Sequence, residues 1–260
     1  MSLELKLEET MMRNRILQYM SVATLGFIEA CVAVNAADDK KPAGKDGFVA
    51  IFDGETLDGW EVSAKQGEKA WTVGNGYIAG DGDKGGRGYL VYAEDKELAN
   101  FELKLSYRFP ELGKHANSGI SIRAVKDKTR KRDFQAYHAD LGHVGIGKEV
   151  LGAWDFHTPG REEHRCFRGD SLVIAEDDKP TITPIADGLK LEDIVKNGWN
   201  SVHIIAKGNK FQLFINGELS SEFTENLPEE RRLKRGMLQL QIHDPGMIVH
   251  FKDIQLKVLK

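Results

Sequence analysis

The sequence predicts an all-β protein, a two-sheet β-sandwich or jelly roll. Three observations carry that expectation. Apolar residues return at every second position in run after run, the period of a strand with one buried face. The 27 glycines and the D-G and N-G pairs punctuate those runs with turns. No internal repeat is present, which excludes a propeller or a β-helix. About ten to fourteen short strands with almost no helix are expected on this pattern.

Taken in order, the chain opens with a targeting segment. From Met12 it reads MRNRILQYMSVATLGFIEACVAVNAADD. Arg13 and Arg15 form a basic start, Ile16 to Ile28 an apolar stretch, and Val34 and Ala36 put small residues three and one before a cut at Ala37. Residues 1–36 are therefore expected to be a signal peptide, with initiation at Met11 or Met12. The mature protein is expected to be exported, periplasmic or extracellular, with no transmembrane span. Cys31 follows IEA, and Glu29 two residues before it argues against lipidation. Removal takes three basic and four acidic residues and moves the net charge from −4 to −3. It also leaves Cys166 alone, a buried small side chain with no disulfide partner. With 36 basic against 40 acidic residues, nothing calls for a nucleic-acid partner.

Residues 37–47, ADDKKPAGKDG, read as a disordered leader, and the domain is expected over 48–260. GFVAIFDGETLDGW starts it with an apolar strand, a turn and Trp60. WEVSA, WTVGNGYIAG and GYLVYA follow as strands. The cleanest alternation runs from Phe101 to Phe109: Phe101, Leu103, Leu105, Tyr107 and Phe109 point one way and Glu102, Lys104, Ser106 and Arg108 the other. Residues 143–198 look irregular, with long loops, short strands and one helical turn near Leu191–Lys196. WNSVHIIAKGNKFQLFING then reads as two strands, ending in the N-G signal at Asn216–Gly217. Two more strands close the domain.

The candidate site centres on NSGISIRAVKDKTRKRDFQAYHADLG, residues 117–142. Two strands there bring Arg123, His138, Asp140 and Asn117 near one sheet surface. In MLQLQIHDPG, Gln239, Gln241 and His243 form a polar row behind inward Leu238, Leu240 and Ile242. Amides and imidazoles in such rows suit sugar hydroxyls better than a merely solvated face does. Trp154 fits either the core or a sugar-stacking platform, and stands among the substrate-binding candidates. His157 with His164, Glu162 and Glu163 matches no defined metal spacing and reads as a solvated loop. His203 and His250 read as structural histidines, and the basic run 126–132 as a solvated turn. Gly145 and Gly147 lack the context of a dinucleotide site. No E-x-D-x-E strand occurs, which argues against hydrolysis by paired carboxylates about 5 Å apart.

Five segments resemble one family, the 3-keto-disaccharide hydrolase domain. FDGETLDGW, NSGISIR, YHADLG, the WNSVHIIAKGNKFQLFING hairpin and the closing MLQLQIHDPGMIVHFKDIQLKVL all match its pattern in order. The sequence departs from it in carrying His138 where glutamine is common and HDPG in place of H-x-G-P. The resemblance implies a concanavalin A-like lectin/glucanase jelly roll, with 3-keto-glycosides as carbohydrate ligands. A C3 ketone acidifies the C2 proton, so one base can start a β-elimination that water later reverses as hydration. In that scheme His243 or His138 is the base, Arg123 stabilises the enolate, and Asn117, Asp140, Trp154, Gln239 and Gln241 hold the substrate. The resemblance makes no cofactor certain, though a divalent metal held by His and Asp could polarise the ketone. A non-catalytic carbohydrate-binding module of the same fold is the alternative.

Overall fold

Strict alternation becomes strand almost wherever it occurs. The computed structural model describes residues 44, 46–63, 67–110, 116–129, 132–142, 150–158 and 166–260. The expected signal peptide and most of the leader lie outside the described residues. The first strands are β1 (Val49–Ala50), β2 (Trp60–Val62), β3 (Trp71–Gly74), β4 (Tyr77–Asp81) and β5 (Gly88–Tyr92). Next come β6 (Phe101–Arg108), β7 (Gly119–Lys126), β8 (Phe134–Asp140) and β9 (Trp154–His157). Then follow β10 (Asp170–Ile174), β11 (Pro180–Pro184), β12 (Asn200–Lys207) and β13 (Lys210–Ile215). The last are β14 (Glu218–Glu225), β15 (Met237–Ile242) and β16 (Ile248–Val258).

Two sheets result. One runs β11-β10-β14-β13-β12-β6-β16-β4-β3, with β1 on β16; the other runs β2-β5-β15-β7-β8-β9. Neighbours are antiparallel except β10 beside β14. The strand count exceeds the sequence expectation because residues 143–198 contribute β9, β10 and β11, and the turn at Asn216–Gly217 leads into β14. Asn216 and Gly217 have φ of 53° and 88°, the left-handed pair that a tight hairpin needs. The helical turn expected near Leu191 is a 3-10 turn at Leu191–Asp193.

Strand β6 shows how sequence sets the layers. Phe101, Leu103, Leu105 and Tyr107 are buried between the sheets, while the intervening charged residues face outward. Beneath one end of the six-stranded sheet, Tyr137, Trp154 and Phe156 meet Phe211 and Phe223 of the larger sheet. Phe211 and Phe223 stack at 4.4 Å, and Trp154 and Phe156 stand edge-on to Phe223 at 5.3 and 4.9 Å. Such aromatic pairs contribute about 0.5–1.5 kcal/mol each beyond area burial, so this cluster is the rigid bed under the polar face. Cys166 is also buried here, its thiol pushed up first by desolvation and directed at the Asp170 and Glu222 carbonyls.

Candidate active site

The outer face of the six-stranded sheet carries a polar cleft of about 370 Å³, lined by Arg87, Tyr89, Asn117, Arg132, His138, Asp140, Asp155, His157, Gln241 and His243. Register explains the grouping. Gln241 pairs across with Tyr89 of β5, and Gly119 with Asp140. One step along, Val91, Gln239, Ser121, His138 and Asp155 stand opposite one another in sequence across five strands. Because side chains alternate, these residues share the outer face while Leu240, Ile120, Ile122, Tyr137 and Trp154 point into the core.

His138 lies against the sheet. Its Nδ1 is 2.9 Å from Ser121 Oγ, and its ring stacks on His157 at 4.8 Å with an interplanar angle of 16°. Gly119 makes room for it: a Cβ there would fall 2.1 Å from His138 Nε2. His157 Nε2 in turn meets Asp155 Oδ2 at 2.9 Å. Gln241 donates to the Tyr89 hydroxyl at 3.3 Å. Burial raises the Tyr89 phenol, opposed by that hydrogen bond and by the charges of Arg87 and Arg132, so the hydroxyl stays protonated as a donor.

His243 follows the end of β15 and is more open, its side chain 30% exposed. Its Nδ1 is 2.7 Å from Asp244 Oδ2. Arg87 Nε donates to the His243 carbonyl at 2.8 Å, and Arg87 Nη2 lies 3.4 and 3.3 Å from the two ring nitrogens. Arg87 Nη2 is therefore within hydrogen-bond reach of both ring nitrogens. With Asp244 holding Nδ1, the contact of Nε2 is Arg87 Nη2 at 3.3 Å.

Two expected members stand elsewhere. Between Ile122 and Val125 strand β7 carries one extra residue against β8, and Arg123 sits in that bulge with φ of 49°. Its guanidinium turns away to the carbonyls of Ala99 and Leu233 and over the Phe211 ring at 4.7 Å. Desolvation lowers it to about 10, partly offset by Tyr137 and Glu225. Arg123 therefore lines a separate cavity with Tyr137 and Glu225, not this cleft. Trp154 is 0% exposed and packs in the core, so it offers no stacking platform. Gln239 is on the correct face, yet also 0% exposed, beneath the cleft surface.

Other residues were missed or misread from sequence. Asp155 and His157 lie on a strand and line the cleft, although His157 reads from sequence as part of a solvated loop. The signal was present, since Trp154 and Phe156 alternate with Asp155 and His157. Arg132 belongs to the turn expected to be merely solvated; Asp127 shapes that turn by accepting from Thr129, Arg132 and Gln135. Arg87 and Tyr89 had no local signal, being brought in by the pairing of β5 with β15. His203 meets Glu102 at 3.0 Å, and His250 accepts from Arg108 at 3.1 Å and stacks on Tyr77, both structural as expected.

A metal does not fit the described residues. No group of three His, Cys, Asp or Glu among them could share an ion. His157 Nε2 and His138 Nδ1 are already occupied by Asp155 and Ser121. His164, Glu162 and Glu163 lie outside the described residues. No described helix is long and apolar enough to cross a membrane.

Comparison with known proteins covers the same region. The profile of the 3-keto-alpha-glucoside-1,2-lyase-like domain matches residues 47–257. A curated 3-keto-disaccharide hydrolase of Bacteroides thetaiotaomicron is 32% identical over 99 residues, covering 35% of this chain and 32% of that protein. The match thus spans about a third of that relative's length. Two crystal structures of putative glycosyl hydrolases from Parabacteroides distasonis share the fold. One superposes with a TM-score of 0.52 at 19% identity over 83% of this chain and 95% of the other. The second gives 0.51 at 14% identity over 82% and 99%.

Proposed function

Because the chain belongs to the 3-keto-alpha-glucoside-1,2-lyase-like domain family, we propose that it cleaves 3-keto-glycosides at C1 in the cleft of the six-stranded sheet. The observation that carries this reading is His243: an imidazole tied through Nδ1 to Asp244 at 2.7 Å, with the Arg87 guanidinium beside its ring nitrogens, at the rim of a cleft of hydroxyl-binding groups. His243 Nε2 takes the C2 proton, and the electron pair moves onto the C3 oxygen as an enolate. Arg87 and Arg132 supply the positive charge that Arg123 cannot bring to the cleft. The enolate then expels the C1 oxygen substituent with its electron pair, and the aglycone leaves once protonated. Water adds back, oxygen to C1 and hydrogen to C2, to give the free 3-keto sugar. Asn117, Asp140, Gln241 and Tyr89 orient the sugar hydroxyls.

His138 is the weaker candidate for the base, since Ser121 holds its Nδ1 and Gly119 and His157 enclose its ring. The test is aglycone release from a glucoside and from its 3-keto derivative. The parent protein should act on the keto form alone, and His243→Ala should lose about 10²- to 10⁴-fold in rate. That substitution should cost under about 1 kcal/mol in stability, because the side chain is part-exposed. Full activity in His243→Ala would move the base to His138. Sugar binding without release by the parent would make this a carbohydrate-binding module instead. Export through cleavage after Ala36 is proposed as well, on the residue pattern at the N-terminus.

A further inference from the structure

Beneath the cleft, β15 carries a carboxamide with no partner among the described residues. Gln239 is 0% exposed, and neither its Nε2 nor its Oε1 has a hydrogen-bond partner among the described residues. Two positions along the same face of β15, Gln241 lines the cleft, and its Oε1 likewise has none. Leaving an amide buried and unpaired costs about 1–3 kcal/mol, so native structures fill such places with a bound water when enough polar atoms converge. A water needs two to four partners, and one lying between the two amides would find them in the Gln239 carboxamide and Gln241 Oε1. A strand fixed on both sides by β5 and β7 holds these groups rigidly.

We infer that Gln239 is a positioning residue for water, and that with Gln241 it holds the molecule that hydrates the elimination product. The inference rests on the proposed 3-keto-glycoside cleavage. Elimination alone stops at an enone with a C1=C2 double bond. For net hydrolysis, water oxygen bonds to C1 and the π electrons shift toward the C3 oxygen. C2 then recovers the proton that His243 removed, and the water releases one proton, balancing the one taken up by the leaving group. Gln239 is too buried to touch sugar, but it can anchor a water passed upward to Gln241. On this account the Gln239 amide decides whether the chain ends its reaction as a lyase or as a hydrolase.

The experiment is the ratio of enone to hydrated 3-keto sugar per aglycone released, followed by NMR for the parent and for Gln239→Leu and Gln239→Met. Being a ratio, it is insensitive to any loss in overall rate. Losing the anchored water should shift it toward enone by about tenfold, the equivalent of one hydrogen bond in the hydration barrier. Melting temperatures should be unchanged or higher in both variants, since the amide they remove has no partner among the described residues. An unchanged ratio would overturn the inference, as would a clear fall in melting temperature in both variants, which would mean that the amide is bonded within the fold. If the parent releases no aglycone from any 3-keto-glycoside, the functional reading fails instead, and the melting temperatures still report on the amide.

Discussion

Gly119→Ala tests whether the His138 imidazole is held where the cleft needs it. Gly119 has no positive φ, so its backbone would accept alanine. A shorter list of unfolded conformers would even favour alanine by about 0.4–1 kcal/mol. Space forbids it. The new Cβ would lie 2.1 Å from His138 Nε2, 2.5 Å from Cε1 and 2.7 Å from the Ala139 carbonyl oxygen. The carbonyl belongs to the paired strand and can yield little, so the ring must leave. Leaving breaks its bond to Ser121 and its stack on His157. Overpacking costs about 1–3 kcal/mol, and a buried hydrogen-bonding group left unsatisfied about another 1–3 kcal/mol. After the unfolded-state gain, a net loss of about 1–5.5 kcal/mol is expected. At roughly 2–4 °C per kcal/mol for a domain of this size, the melting point should fall by about 2–20 °C. Thermal unfolding of the four proteins in the Gly119→Ala, His138→Ala cycle provides the assay. With the imidazole gone, alanine at 119 should cost clearly less, only the approach to the Ala139 carbonyl remaining. A melting point within about 2 °C of the parent, or equal costs in both backgrounds, would refute the reasoning.

His250 gives a pH prediction. Burial first, and the Arg108 charge second, lower it from 6.5 to about 4. The unfolded chain therefore binds the extra proton between those values, so its contribution to stability is full above pH 6.5 and lost as pH falls toward 4. The pH dependence of melting temperature over that window should be shallower in His250→Gln, and an identical slope would remove His250 from the account. For export, mass spectrometry of the secreted protein should find Ala37 as the first residue, whereas a terminus retained at Met11 or Met12 would defeat the signal-peptide expectation.

Much of the architecture was legible because alternation is a local property of the chain. Phe101 to Phe109 specified an inward and an outward face before any partner strand was known, and β6 has those faces. The same reasoning put His138 and Asp140 on one side of β8 and Gln239 and Gln241 on one side of β15. It would also have turned Trp154 inward and Asp155 and His157 outward, had β9 been recognised in a stretch rich in glycine, proline and charge.

What the tertiary structure alone decided was which strands are neighbours and where parity breaks. Arg123 has the parity of Ser121 by sequence, but one extra residue between Ile122 and Val125 sends it toward Ala99 and Leu233, and a bulge costs the sequence no visible signal. Arg87 and Tyr89 reach the cleft because β5 pairs with β15, about 150 residues away along the chain. Hydrogen bonds between strands join backbone groups that every residue carries, so the identity of a distant partner is set by how the whole core packs. The sequence by itself determined the faces of the strands; the packing determined which faces meet, and with them which side chains share the cleft.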